Sequence, residues 1–158
     1  MLGARQYGDV ISNYVKAGSQ SCSPELLEVM DHSDIDRIRL RVAENPRTPI
    51  HILEILAADK NEDVRVAVGT NPSTPPHLSY QLAFDENIDV RLGLADDINT
   101  PFEVLETLTE DSNPYVRSRA IQTKEIALEH GSPRRFGRRF LQWLKNEGKA
   151  DPHSLRYA

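Results

Sequence analysis

The chain has 158 residues, 39% hydrophobic and 27% charged, with a formal net charge of −5. That balance suits a single folded domain rather than a disordered chain, and no apolar run reaches the roughly 20 residues that span a bilayer. The single cysteine, Cys22, leaves no intrachain disulfide or cysteine-held metal cluster to expect, and the net acidity argues against non-specific nucleic-acid binding by the chain as a whole.

The opening stretch MLGARQYGDVISNYV lacks the apolar core and cleavage site of a signal peptide, so a cytoplasmic location is the default expectation. Within it Tyr7, Val10, Ile11, Tyr14 and Val15 fall at i, i+3, i+4, i+7 and i+8, which predicts an amphipathic capping helix. A degenerate unit, SPELLEVMDHSDIDRIR, follows. After it the chain repeats itself. Thr48-Pro49, Thr74-Pro75 and Thr100-Pro101 are spaced by 26 residues, as are Asp59, Asp85 and Asp111, and Asn61, Asn87 and Asn113. Val64-Arg65, Val90-Arg91 and Val116-Arg117 keep the same phase, and Ile38-Arg39 extends it backwards. Asn45-Pro46 recurs as Asn71-Pro72 and fades to Asp97-Ile98.

Each unit predicts two short helices. Thr-Pro is read as the start of the first, with threonine capping free amides and proline at the first helical position. Glu103, three residues after Thr100, would complete a capping box. This helix is expected to run about ten residues, with Ile52, Leu53 and Leu56, then Leu78 and Leu82, then Val104, Leu105 and Leu108 on one face. The second helix starts at Asn61, Asn87 or Asn113 and buries Val64 and Val68, Val90 and Leu94, or Val116 and Ala120. It is predicted to be about two turns long and partly 3₁₀. Small residues at Ala67 and Gly93 would let neighbouring layers approach closely. Where the period breaks, the second helix continues through YVRSRAIQTKEIALEH towards Gly131, and Arg119 takes the place of the small residue. Ser132-Pro133 then starts a further helix with Phe136, Phe140, Trp143 and Leu144 on one side. KADPHSLRYA reads as a tail.

One unit cannot bury its apolar face alone, whereas stacked units share a core. The expected architecture is an all-α right-handed solenoid of about three and a half units. It divides into a capping helix at 1–22, the array at 23–123 and a basic capping helix with tail at 124–158. The unit NPxTPxxxLxxLAxDxNxDVRxxVA resembles the leucine-rich repeat variant family across about Ser23 to Thr123. The resemblance implies stacked pairs of one α and one 3₁₀-like helix in a right-handed superhelix used for binding, with no enzymatic activity. The iron–sulfur segment of some family members does not carry over, because Cys22 stands alone.

The arginines Arg39, Arg65, Arg91 and Arg117 form a ladder. It reads either as a row for phosphates or an acidic partner, or as a structural series in which each guanidinium pairs with an acid or carbonyl of an adjacent loop; the second reading leads, because the ladder is in phase with fold-specifying positions. Asp59, Asp85 and Asp111 are read as turn organisers. His51, His77 and Glu103 form another ladder, but layers about 8–10 Å apart are too far spaced for three such side chains to share one metal ion. No metal, cofactor or catalytic set is expected. The stretch SPRRFGRRFLQWLK carries Arg134, Arg135, Arg138 and Arg139. It is read first as a cap with a solvated basic face, then as a nucleic-acid contact, or as a contact for an acidic protein or anionic membrane surface. The leading function is non-catalytic recognition of a macromolecule, foremost a protein. Nucleic-acid binding through the basic helix is the alternative, and an enzyme ranks below both.

Overall fold

The computed structural model describes residues 4–19, 21–129, 137 and 141. Among these residues the fold is all-helical. The elements are α1 (Ala4–Ala17), α2 (Pro24–Met30), α3 (Asp36–Glu44), α4 (Ile50–Leu56), α5 (Glu62–Thr70), α6 (Pro76–Leu82), α7 (Ile88–Asp96), α8 (Phe102–Leu108) and α9 (Pro114–Glu129). The odd-numbered helices lie side by side in chain order: α1 on α3, α3 on α5, α5 on α7 and α7 on α9. Each of α2, α4, α6 and α8 packs on both the odd-numbered helix before it and the one after it.

Helix lengths depart from the sequence expectation in both directions. α4, α6 and α8 have 7 residues rather than ten, and α5 and α7 have 9, in α rather than 3₁₀ geometry. The cause lies in the threonines. Pro49, Pro75 and Pro101 are themselves the N-caps, and no side chain caps these three helices. The capping box at Thr100 and Glu103 does not form. Thr48 turns its hydroxyl back instead and donates to the Val42 carbonyl at 2.6 Å. Thr74 does the same to Val68. The last carbonyls of a helix lack intrahelical donors, and a buried hydroxyl beside them has nowhere better to donate. Ser23 performs the expected capping role instead, accepting from the Leu26 amide ahead of Pro24. The second helices start where the asparagines predict: Asn61 Oδ1 accepts from the Asp63 amide and Asn87 Oδ1 from the Asp89 amide.

The predicted apolar faces are buried. Val42, Leu53, Val64, Val68, Val90, Leu94, Val104 and Val116 are each 0% exposed and belong to one continuous core that runs from α1 to α9. Burying each such side chain contributes about 1.5–3 kcal/mol. Gly93, like Gly69 opposite Leu94, marks a close approach of α5 and α7. A Cβ there would lie 2.8 Å from Val66 Cγ1, so α5 and α7 meet at a distance that only glycine allows without a shift.

The capping stripe of α1 is corrected at two positions. Val15 is 63% exposed and Tyr14 39%, while Ala17 is fully buried. The Arg41 guanidinium lies over the Tyr14 ring, 4.9 Å from its centroid. The Ala17 carbonyl at the end of α1 accepts from Asn45 Nδ2. The side chains of Tyr7, Val10 and Ile11 lie outside the described residues. At the far end α9 continues for 16 residues, with Thr123 and Ala127 buried in its later turns. The expected helix after Ser132, with Phe136, Phe140, Trp143 and Leu144, lies outside the described residues. Leu141 is partly buried against the core.

Candidate functional site

The most regular polar construction lies along the edge formed by the loops between paired helices. Arg39 grips Asp59 with two prongs, Nε to Oδ2 at 2.6 Å and Nη2 to Oδ1 at 3.0 Å, while Nη1 donates to the Ser33 carbonyl at 2.7 Å. Arg65 repeats this with Asp85 at 2.8 and 3.0 Å and the Asp59 carbonyl at 2.7 Å. Arg91 repeats it with Asp111 at 2.7 and 3.3 Å and the Asp85 carbonyl at 2.6 Å. Each guanidinium therefore joins two successive loops. Each aspartate also closes its own turn, because its Oδ1 accepts from the amide two residues on, at Asn61, Asn87 and Asn113. In all three pairs both side chains are at most 12% exposed. Burial by itself would raise the Asp59 carboxyl. The Arg39 hydrogen bond, the Asn61 amide and the Arg39 charge outweigh it and hold that carboxyl below its ordinary range. Arg117 stands in the same register and donates from Nη1 to the carbonyls of Asp111 and Ser112.

A second set of bonds stitches the opposite turns. Asn45 Nδ2 donates to the carbonyls of Ala17 and Ser19 at 2.7 and 2.9 Å, and Asn71 Nδ2 to those of Ala43 and Asn45 at 2.6 and 2.9 Å. Each asparagine also closes its own turn by accepting from the amide two residues on. In the sequence these residues stand out only as a recurring Asn-Pro pair. Their burial at 2% is what reveals them as cross-links.

On the outer face of α2, α4 and α6 the histidine positions are paired between neighbouring helices. His51 Nε2 lies 3.1 Å from Glu28 Oε1, and His77 Nε2 lies 3.5 Å from Glu54 Oε1. Among the described residues no three His, Cys, Asp or Glu side chains are placed to hold a metal ion. Cys22 is buried and its thiol is pushed up, chiefly by that burial. Arg119 is exposed and pairs with Asp96 at 2.6 Å. Asp31 is 2% exposed at the position held by Ala57 and Ala83, and neither carboxylate oxygen has a hydrogen-bond partner among the described residues. The exposed His32 ring lies beside it, with Nδ1 3.5 Å from Asp31 Oδ1.

Three open depressions follow one another along the loop edge. The first, of about 360 Å³, lies between Asp31, Asp34, Arg39 and Asp59. The second, of about 570 Å³, lies between Asp59, Arg65, Asp85 and Glu86. The third, of about 690 Å³, lies between Phe84, Arg91, Glu110 and Asp111. Their linings include the exposed carboxylates Asp34, Glu86 and Glu110, against the exposed cation Lys60 between the first two. The four arginines singled out beyond α9, Arg134, Arg135, Arg138 and Arg139, lie outside the described residues. No described helix is long and apolar enough to cross a membrane. No protein-family model, curated protein or solved structure matches the chain.

Proposed function

We propose that the protein is a non-catalytic binding module, a right-handed solenoid of the leucine-rich repeat variant type, which recognises a protein partner in the cytoplasm along its acidic loop edge. The observation that carries this reading is the row of three depressions between successive loops, open to solvent and rimmed by exposed carboxylates. A row of shallow, repeated, like-charged hollows suits an extended partner that presents basic side chains at intervals, and suits a small molecule poorly. The arginines and aspartates between the hollows are already engaged with one another. They set the spacing of the edge and leave its outer carboxylates to meet the partner.

The alternative is nucleic-acid binding through Arg134, Arg135, Arg138 and Arg139, and one experiment separates the two. Full-length protein is used to capture partners from its native cell, beside an Asp34→Lys/Glu86→Lys/Glu110→Lys variant and an Arg134→Gln/Arg135→Gln/Arg138→Gln/Arg139→Gln variant. Loss of a protein partner in the first variant alone supports the acidic edge. A nuclease-sensitive partner lost in the second alone, with steep weakening between low and moderate salt, replaces it with the nucleic-acid reading.

A further inference from the structure

The row of guanidinium forks ends at Arg117, and it ends open. Arg39, Arg65 and Arg91 each make a backward contact and a forward contact. The backward one runs from Nη1 to a carbonyl 6 residues earlier, and the forward one from Nε and Nη2 to both oxygens of an aspartate 20 residues later. Arg117 makes the backward contact, to the carbonyls of Asp111 and Ser112. The residue twenty positions further on is Gly137, which has no carboxylate. Among the described residues no acceptor meets Arg117 Nε or Nη2. The side chain springs from the first turn of α9 beside Val116, which is fully buried, so its root is fixed. Its Nη1 is tethered, so the plane of the fork is set before a ligand arrives. Little side-chain freedom is left to lose on binding.

We infer that Arg117 is a docking site for a carboxylate of a partner protein, namely an aspartate at the head of a tight turn. The three filled forks define the ligand. A planar carboxylate matches two parallel N–H donors. In each filled fork that carboxylate also accepts from the amide two residues on, so it belongs to a short side chain folded over its own backbone, as aspartate allows. This site is distinct from the acidic rim and takes a ligand of opposite charge. It gives the edge a polarity: basic groups are met along its length and an acidic turn at its α9 end.

The test uses the full chain labelled with ¹⁵N and follows the arginine Nε–Hε signals, with the Arg117 signal identified by its loss in Arg117→Gln. The probes are acetate, the peptide acetyl-Asp-Ser-Asn-Pro-Tyr-amide, its Asn-for-Asp counterpart and inorganic phosphate. The Arg117 signal should move saturably with acetate and with the Asp peptide, about tenfold more tightly than the exposed Arg37 responds. The signals of Arg39, Arg65 and Arg91, whose forks are filled, should stay in place. Arg117→Lys, which keeps the charge and loses the fork, should weaken peptide binding about tenfold. The proposal is overturned by a response at Arg117 no different from that at Arg37, by equal binding of the Asn-for-Asp peptide, by saturation with phosphate but not with the Asp peptide, or by Arg117→Lys binding the peptide as the parent does.

Discussion

The turns at Asn45 and Asn71 differ from the turn at Asp97, although all three occupy the same place in the sequence period. At the first two, a buried side-chain amide donates to two carbonyls of the preceding layer. A carboxylate at the third has no amide N–H to donate, and among the described residues the Asp97 carboxylate accepts from the backbone and side chain of Asn99. Two neighbouring bonds are missing with it. Ser73 reaches the Pro46 carbonyl of the preceding layer, whereas Asn99 is turned back onto Asp97. Thr48 and Thr74 each find a carbonyl, whereas the buried Thr100 hydroxyl has no partner among the described residues. The apolar core crosses all three turns undisturbed, with Leu94, Ala95 and Val104 fully buried at the third. Packing thus continues through the molecule while the polar stitching stops after the second turn. The layers beyond α7 are held by burial, by the Arg91–Asp111 fork and by the exposed Arg119–Asp96 pair.

The largest effect should come from a filled fork. Arg65→Ala strands Asp85 beside the loop it used to anchor, and breaking so buried a pair costs about 3–5 kcal/mol. Arg117→Ala removes a fork with no carboxylate in it and should cost under about 1 kcal/mol. Urea midpoints of the two variants measure the gap directly. Equal losses would mean that the backward carbonyl contact, which both arginines make, carries the stability.

Converting one turn into the other comes next. Asn71→Asp removes two buried donors and brings in a charge, for an expected loss on the order of 3 kcal/mol. The reverse change, Asp97→Asn, should stabilise by about 1 kcal/mol, because its amide gains two carbonyls in the layer below. Amide hydrogen exchange would locate both effects. In the parent, α8 and α9 should exchange ahead of α4 and α5, and Asp97→Asn should slow them. If α8 and α9 are already the better protected pair, apolar packing outweighs the stitching and the comparison fails.

Much of the helical framework was legible in the sequence, because caps and periodicity act locally. Asn61 and Asn87 announced their helices through the amide two residues on, and the buried valines and leucines followed from 3.6-residue spacing. The threonines misled because the same hydroxyl can serve an amide ahead or a carbonyl behind. Only the burial of Thr48 and Thr74 decides between them. The cross-layer roles of Asn45 and Asn71 were invisible for a related reason: their acceptors are backbone carbonyls, which carry no sequence signature. The constant spacing of 20 between each filled arginine and its aspartate was present in the sequence. It acquires meaning only when the fourth arginine is seen to lack its partner.

The smallest predicted effect concerns acid, and it tests whether the two kinds of stitching are independent. The Asp59 carboxyl is depressed in the folded protein, against the pull of its own burial. A depressed carboxyl contributes stability that is fully present above its unfolded value, near about 3.9, and that is lost as pH falls through the lower folded value. Thermal midpoints of the parent should therefore fall on acidification below about pH 4. Asp59→Asn, which cannot titrate, should start from a lower midpoint at neutral pH and show a shallower acid slope. The Asp97→Asn background should keep the full slope of the parent, because Asp59 and Arg39 lie in layers that Asp97 does not touch. A slope that changes with Asp97→Asn would show that the loop edge and the opposite turns respond to acid as one network.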